Sequence, residues 1–94
     1  MIKIIIDHHI ESLEKLFSYC KCIESIFFKK FYRNNINNMK FMFLGCSSLK
    51  ELNLDNFNTN KVTSMFAMFS RCSNELIMKI KIQYKNIKEE AFKN

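Results

Sequence analysis

The chain has 94 residues, is 48% hydrophobic and carries a formal net charge of +6. That length allows one small domain, and the apolar content is too high for a disordered chain. A single glycine, Gly45, and no proline exclude glycine-rich phosphate loops, dinucleotide-binding fingerprints and collagen-like or Pro-rich segments.

The N-terminal run Met1-Ile2-Lys3-Ile4-Ile5-Ile6 is followed at once by Asp7-His8-His9. It falls short of the ~7–15 apolar residues of a secretory leader. No run approaches the ~18–20 needed to span a membrane. Neither an export signal nor an anchor is therefore expected from these residues. Ile10, Leu13, Leu16 and Phe17 follow at helical spacing, with Glu11 and Glu14 as good helix formers. The chain then passes Cys20 and reaches Ile23, Ile26, Phe28 and Phe31.

The next stretch repeats the pattern. Met39-Lys-Phe-Met42-Phe43-Leu-Gly-Cys46-Ser47 matches Met65-Phe-Ala-Met68-Phe69-Ser-Arg-Cys72-Ser73 at an offset of 26. Another step back aligns Leu13, Leu16, Phe17 and Cys20. Ile23 and Ile26 fall under Leu49 and Leu52, Phe28 under Leu54, Phe31 under Phe57, and Ile36 under Val62. One further step places Ile2, Ile5 and Ile10 under Phe28, Phe31 and Ile36. Repeat periods of this size point to stacked units, each too small to bury its own apolar side.

Within a unit, Leu52-Asn53-Leu54 alternates like a strand. Asp55-Asn56 and Asn58-Thr59-Asn60 supply turns. Val62, Met65, Met68 and Phe69 then return to helical spacing. After Cys72 the pattern decays. Glu75 stands where Ile23 and Leu49 stood, and a one-residue slip to Leu76 restores an apolar residue. Met78, Ile80 and Ile82 alternate with lysine like a half-solvated strand, and Lys85–Asn94 is polar.

The fold expected is an α/β repeat: a short solenoid of about 3 to 3.5 coils, each a short strand plus a short helical turn. It forms a single domain over 1–94, with units at 1–12 (partial), 13–38, 39–64 and 65–94 (degenerate). The expected core is Leu16, Phe17, Cys20, Ile23, Ile26, Phe28 and Phe31, then Met42, Phe43, Cys46, Leu49, Leu52, Leu54 and Phe57, then Val62, Met65, Met68, Phe69 and Cys72. Turns are assigned to asparagine, with 11 copies against one glycine, because its side chain tolerates left-handed backbone. Gly45 aligns with Tyr19 and Arg71, so that position is not expected to require positive φ.

The cysteines do not read as a zinc site. Structural zinc favours C-x2–4-C pairs, whereas Cys20-Lys-Cys22 is too tight and Cys46 and Cys72 stand alone. Cys20, Cys46 and Cys72 sit in the repeat register and are expected as a buried column. A disulfide between stacked units is the alternative. Cys22 is expected to be the exposed thiol. His8 falls at the Asn34 and Asn60 turn position, and no nucleophile has an identifiable base. Glu89-Glu90 reads as a charged terminal face. No catalytic residue, cofactor or metal is therefore expected. The Met and Phe positions recur in register, which favours core packing over a soft binding surface.

Met42-Phe43-Leu-Gly45-Cys46-Ser47-Ser48-Leu49-Lys-Glu-Leu52-Asn53-Leu54, then Asn56-Phe57-Asn58-Thr59-Asn60-Lys-Val62-Thr63-Ser-Met65 and Met68-Phe69, closely resembles the repeat of BspA-like leucine-rich-repeat surface proteins of the mycoplasma type. The resemblance is strongest over Met39–Ser73 and extends to Leu13–Asn38. It implies a leucine-rich-repeat-type fold, adhesion, binding of host or matrix proteins, and cell-surface display. It brings no catalytic residues.

The varying positions Lys50, Glu51, Asn53, Asp55, Asn58 and Lys61 are where a protein partner would be read. The leading expectation is a non-enzymatic protein-binding module. One alternative is a fragment or decayed member of a repeat array with only a structural role. Another is a basic nucleic-acid or anionic-surface binder, although the 13 lysines are scattered and no small-molecule substrate is implied. Open ends of the stack also predict self-association.

Overall fold

Overlapping turns, rather than helices, form the three repeated segments that end in Cys20, Cys46 and Cys72. The computed structural model describes residues 2–3, 12–28, 36–55 and 59–93. Within 13–20 the amides of Leu16, Ser18 and Cys20 donate to the carbonyls of Leu13, Lys15 and Phe17. Met42, Leu44 and Cys46 do the same to Met39, Phe41 and Phe43, and Met68, Ser70 and Cys72 to Met65, Ala67 and Phe69. The alternate amides point sideways. Those of Leu13, Lys15, Phe17 and Tyr19 donate to the carbonyls of Asn38, Lys40, Met42 and Leu44. Those of Met39, Phe41, Phe43 and Gly45 donate to Ser64, Phe66, Met68 and Ser70. An α-helix spends every interior amide on its own chain. These segments divide theirs between their own turn and the neighbouring segment, so every amide named here is satisfied.

Each turn segment opens on a polar side chain that holds the amide two residues on. Ser12 Oγ accepts from Glu14, Asn38 Oδ1 from Lys40 and Ser64 Oγ from Phe66. Those three residues are themselves bridged in parallel, Ser12 to Asn38 to Ser64. Such local side-chain bonds favour turns over helix.

The strands are short: β1 (Ile2–Lys3), β2 (Ser25–Phe27) and β3 (Glu51–Asn53). They form one parallel sheet in the order β1-β2-β3. Ile26 pairs with Leu52 at a separation of 26, and both point into the core. Ile2 pairs with Ile26, not with Phe28. The separation there is 24, so the register of 26 does not extend to the N-terminal strand.

One α-helix, α1 (Asn74–Gln83), follows the last turn segment. Ser73 caps it by accepting from the Leu76 amide, and Glu75 in the first turn and Lys81 in the last complement its dipole. Leu76 and Ile80 are buried at helical spacing. The strand expected from the alternation of Met78, Ile80 and Ile82 is therefore a helix. It lies beside β3, with Lys79 Nζ 3.4 Å from the Lys50 carbonyl. A 3-10 helix (Glu89–Phe92) lies against the third turn segment. There Met65 donates to Glu90 Oε1, Ala67 to the Glu90 carbonyl and Phe69 to the Ala91 carbonyl.

The leucine-rich-repeat-like solenoid of 3 to 3.5 coils, each with its own strand and helical turn, is not formed. Among the described residues none of the three turn segments is helical, the one α-helix lies outside them, and the sheet holds only two- and three-residue strands. The molecule is a small globule of 32 × 27 × 21 Å. Helical spacing misleads here because i and i+3 share a side in an i→i+3 turn as they do in a helix.

A column of phenylalanines runs through the core. Phe17, Phe43, Phe69 and Phe92 stack with centroids 5.6, 5.4 and 5.6 Å apart. Phe28 meets Phe17 and Phe43 edge-on. Met39, Met42, Met65 and Met68 are fully enclosed around the column, as core packing requires. Cys46, Leu49, Leu52, Leu54, Val62 and Cys72 are buried too, while Cys20 and Ile23 are half-buried. Leu16 departs from expectation at 43% exposed. Its counterparts Met42 and Met68 lie in segments flanked on both sides, whereas the first segment has a described neighbour on one side only. Phe31 and Phe57 lie outside the described residues.

Backbone conformation overturns the reading of the turns. Lys15, Phe41 and Ala67 have φ of 61°, 59° and 54°, and Tyr19, Gly45 and Arg71 have φ of 60°, 73° and 64°. Each is the third residue of an i→i+3 turn, where a type II turn needs positive φ. So the Gly45 position takes left-handed backbone in all three segments, and no asparagine among the described residues does.

Candidate functional site

The alternation within β2 and β3 decides what faces outward. Ile26 and Leu52 point to the core, leaving Ser25, Phe27, Glu51 and Asn53 on the other side. Phe27 is 39% exposed beside Asn53, its partner in the ladder. Lys50, just before β3, and Asp55, just after it, are also exposed. This strip is held by polar contacts. Lys79 Nζ reaches Glu51 at 3.5 Å and Glu75 at 3.6 Å, and Lys50 reaches Glu24 at 3.9 Å. These pairs are exposed and contribute little stability. Asn53 Oδ1 accepts from the Asp55 amide. The Tyr84 hydroxyl donates to Asp55 Oδ1 and accepts from the Leu54 amide, both at 2.9 Å. Burial raises the Tyr84 phenol above its ordinary pKa.

Lys50, Glu51, Asn53 and Asp55 are thus brought together along β3. Lys61 is exposed in a separate turn, and Asn58 lies outside the described residues. Phe27 is the residue that sequence reasoning missed. It occupies the register position of Asn53, so the repeat itself marks it as outward-facing.

The cysteines form a second constellation. All four are free thiols: Cys46 and Cys72 are buried, Cys20 is half-buried and Cys22 is exposed. Cys46 Sγ donates to the Phe17 carbonyl at 3.0 Å, and Cys72 Sγ to the Phe43 carbonyl at 3.1 Å. Burial pushes the Cys46 thiol up to about 11 and the Cys72 thiol up to about 12. A thiol in that state is a poor nucleophile at neutral pH. Among the described residues no group of three His, Cys, Asp or Glu side chains could hold a metal ion. His8 and His9 lie outside them. Glu90 ties the terminal 3-10 helix to the third turn segment through its side chain and its carbonyl.

An open recess of about 600 Å³ lies between the third turn segment, α1 and the 3-10 helix. Arg71, Cys72, Asn74, Ile77, Lys81 and Phe92 line it. No described helix is long and apolar enough to cross a membrane.

Comparison with protein families matches residues 7–93 to the family described as Mycoplasma protein of unknown function, DUF285. The chain belongs to that family. No curated protein and no solved structure matches it. The family match covers all three turn segments, β2, β3 and α1, so the stacked Phe and Cys columns and the outward β2–β3 strip lie within the family region.

Proposed function

We propose that this member of the family is a non-enzymatic module that binds another protein through the outward face of β2 and β3. The observation that carries the reading is Phe27, a large aromatic left 39% exposed on a sheet face beside its ladder partner Asn53, with Ser25 and Glu51 paired on the same face. An aromatic anchor within a polar surround is the usual make-up of a protein-binding hot spot. The resemblance of Met39–Ser73 to BspA-like surface repeats supports adhesion to host or matrix proteins as the purpose of that face. The raised thiol pKa values of Cys46 and Cys72 support a non-catalytic reading.

The test is binding of the purified chain to a panel of immobilised extracellular-matrix proteins. A ligand found there should lose at least ~10-fold in affinity on Phe27→Ser/Asn53→Arg and none on Met78→Ser, which lies on α1. Equal binding by both variants, or no ligand in the panel, contradicts the proposed face.

A further inference from the structure

Helix α1 carries two large aliphatic side chains on the side facing away from the core. Its buried residues Leu76 and Ile80 mark the inner side. At 100° per residue Met78 and Ile82 fall opposite them, and they are 62% and 71% exposed. One flank of this crest is acidic by one charge, because the single Lys79 is shared between the carboxylates of Glu51 and Glu75. The other flank is basic. Lys81 leads into the recess that also holds Arg71, and no carboxylate lines that recess. Lys81 Nζ sits 4.9 Å from the Phe92 ring centroid, which fixes a cation beside the crest. Lys85 reaches back to the Lys81 carbonyl at 3.3 Å and adds a third positive charge on this side.

We infer that α1 docks on an anionic lipid surface, with Met78 and Ile82 entering the headgroup boundary and Arg71 and Lys81 receiving a lipid phosphate in the recess. Apolar side chains rimmed by lysine are what an interfacial helix presents. The attraction of basic residues to acidic lipid supplies the charge complement. The net charge of +6 acts in the same direction. Such docking would orient the chain at a membrane, and it uses a surface separate from β2 and β3.

The test is co-sedimentation of the full chain with two vesicle types, phosphatidylcholine alone and phosphatidylcholine with about 30% phosphatidylserine. Binding to the acidic vesicles only, weakening as salt is raised, is the expected result. Met78→Ser/Ile82→Ser should weaken it about ten-fold, and Arg71→Asn/Lys81→Ser by a similar factor. All four side chains are exposed, and unchanged thermal unfolding confirms that each variant is folded. No binding to acidic vesicles, equal binding to both types, or binding unaffected by Met78→Ser/Ile82→Ser overturns the proposal. So does a dimer that Met78→Ser/Ile82→Ser abolishes in the absence of vesicle binding.

Discussion

A Cβ added at Gly45 would lie 2.6 Å from Cδ1 and 2.8 Å from Cε1 of Tyr19. Tyr19 is the aligned residue of the preceding segment, and its ring covers the glycine. Gly45→Ala therefore meets both a clash and left-handed backbone at φ +73°. We expect a loss of about 1–2 kcal/mol by thermal unfolding. In Gly45→Ala/Tyr19→Ser the clash is gone and only the backbone cost remains, so the double-mutant cycle should show coupling between the two sites. The converse holds at Arg71, exposed with φ 64°. Arg71→Gly should stabilise the chain by about 0.5–1 kcal/mol, a rise of roughly 2–8 °C in Tm. Lower stability would contradict the left-handed assignment. The thiols give a pH dependence. Cys46 and Cys72 titrate higher folded than their ordinary 9.0, so above that value the unfolded chain releases protons first. Stability from these groups is full below pH 9 and falls as pH rises towards 11 and 12. Tyr84 acts in the same direction. Replacing Cys46 and Cys72 by Ala should flatten the alkaline limb of a stability–pH curve.

At the scale of the elements, the sequence carried the register but not the conformation. Residues that share a core must recur at the stacking period, so Phe17, Phe43 and Phe69 and the pairing of Ile26 with Leu52 were legible as an offset of 26. Val62, Met65, Met68 and Phe69 suggest a helix because their spacing suits a helix and a chain of i→i+3 turns equally. What distinguishes the two is the sideways use of alternate amides, which leaves no mark in side-chain pattern. The turn-opening residues Ser12, Asn38 and Ser64 were the available clue, being polar and in register. In the same way Met78, Ile80 and Ile82 suggested a strand, although Ser73 and the spacing of Leu76 and Ile80 mark a capped helix. The candidate face was legible along β3, where Lys50, Glu51, Asn53 and Asp55 are exposed. It was incomplete because its aromatic, Phe27, differs in residue type from Asn53, whose register position it shares. Ser73→Ala should cost about 1 kcal/mol through loss of the α1 cap. Leu52→Asp buries a charge in the core and should unfold the chain, whereas Lys50→Ala should be nearly silent. Comparable effects from those two substitutions would refute the inward and outward assignment of β3.

Across the whole molecule the parts close one another off at the C-terminal side. The sheet edge at β3 is met by α1 rather than by another strand, and the amides of the third turn segment are taken up by Glu90 and Ala91. Covering an edge in this way guards against unwanted strand pairing. The two proposed surfaces, β2–β3 for a protein and α1 for acidic lipid, lie on different elements of this frame and are tested by different variants. Both depend on the segments being turns laddered to their neighbours. That claim is tested most directly by scalar couplings across hydrogen bonds in the isotope-labelled chain. The structure requires a coupling from the Phe43 amide nitrogen to the Met68 carbonyl carbon, and from Phe17 to Met42. A coupling from Phe43 to the Met39 carbonyl instead would mean that the segment is an α-helix, and the account would be wrong.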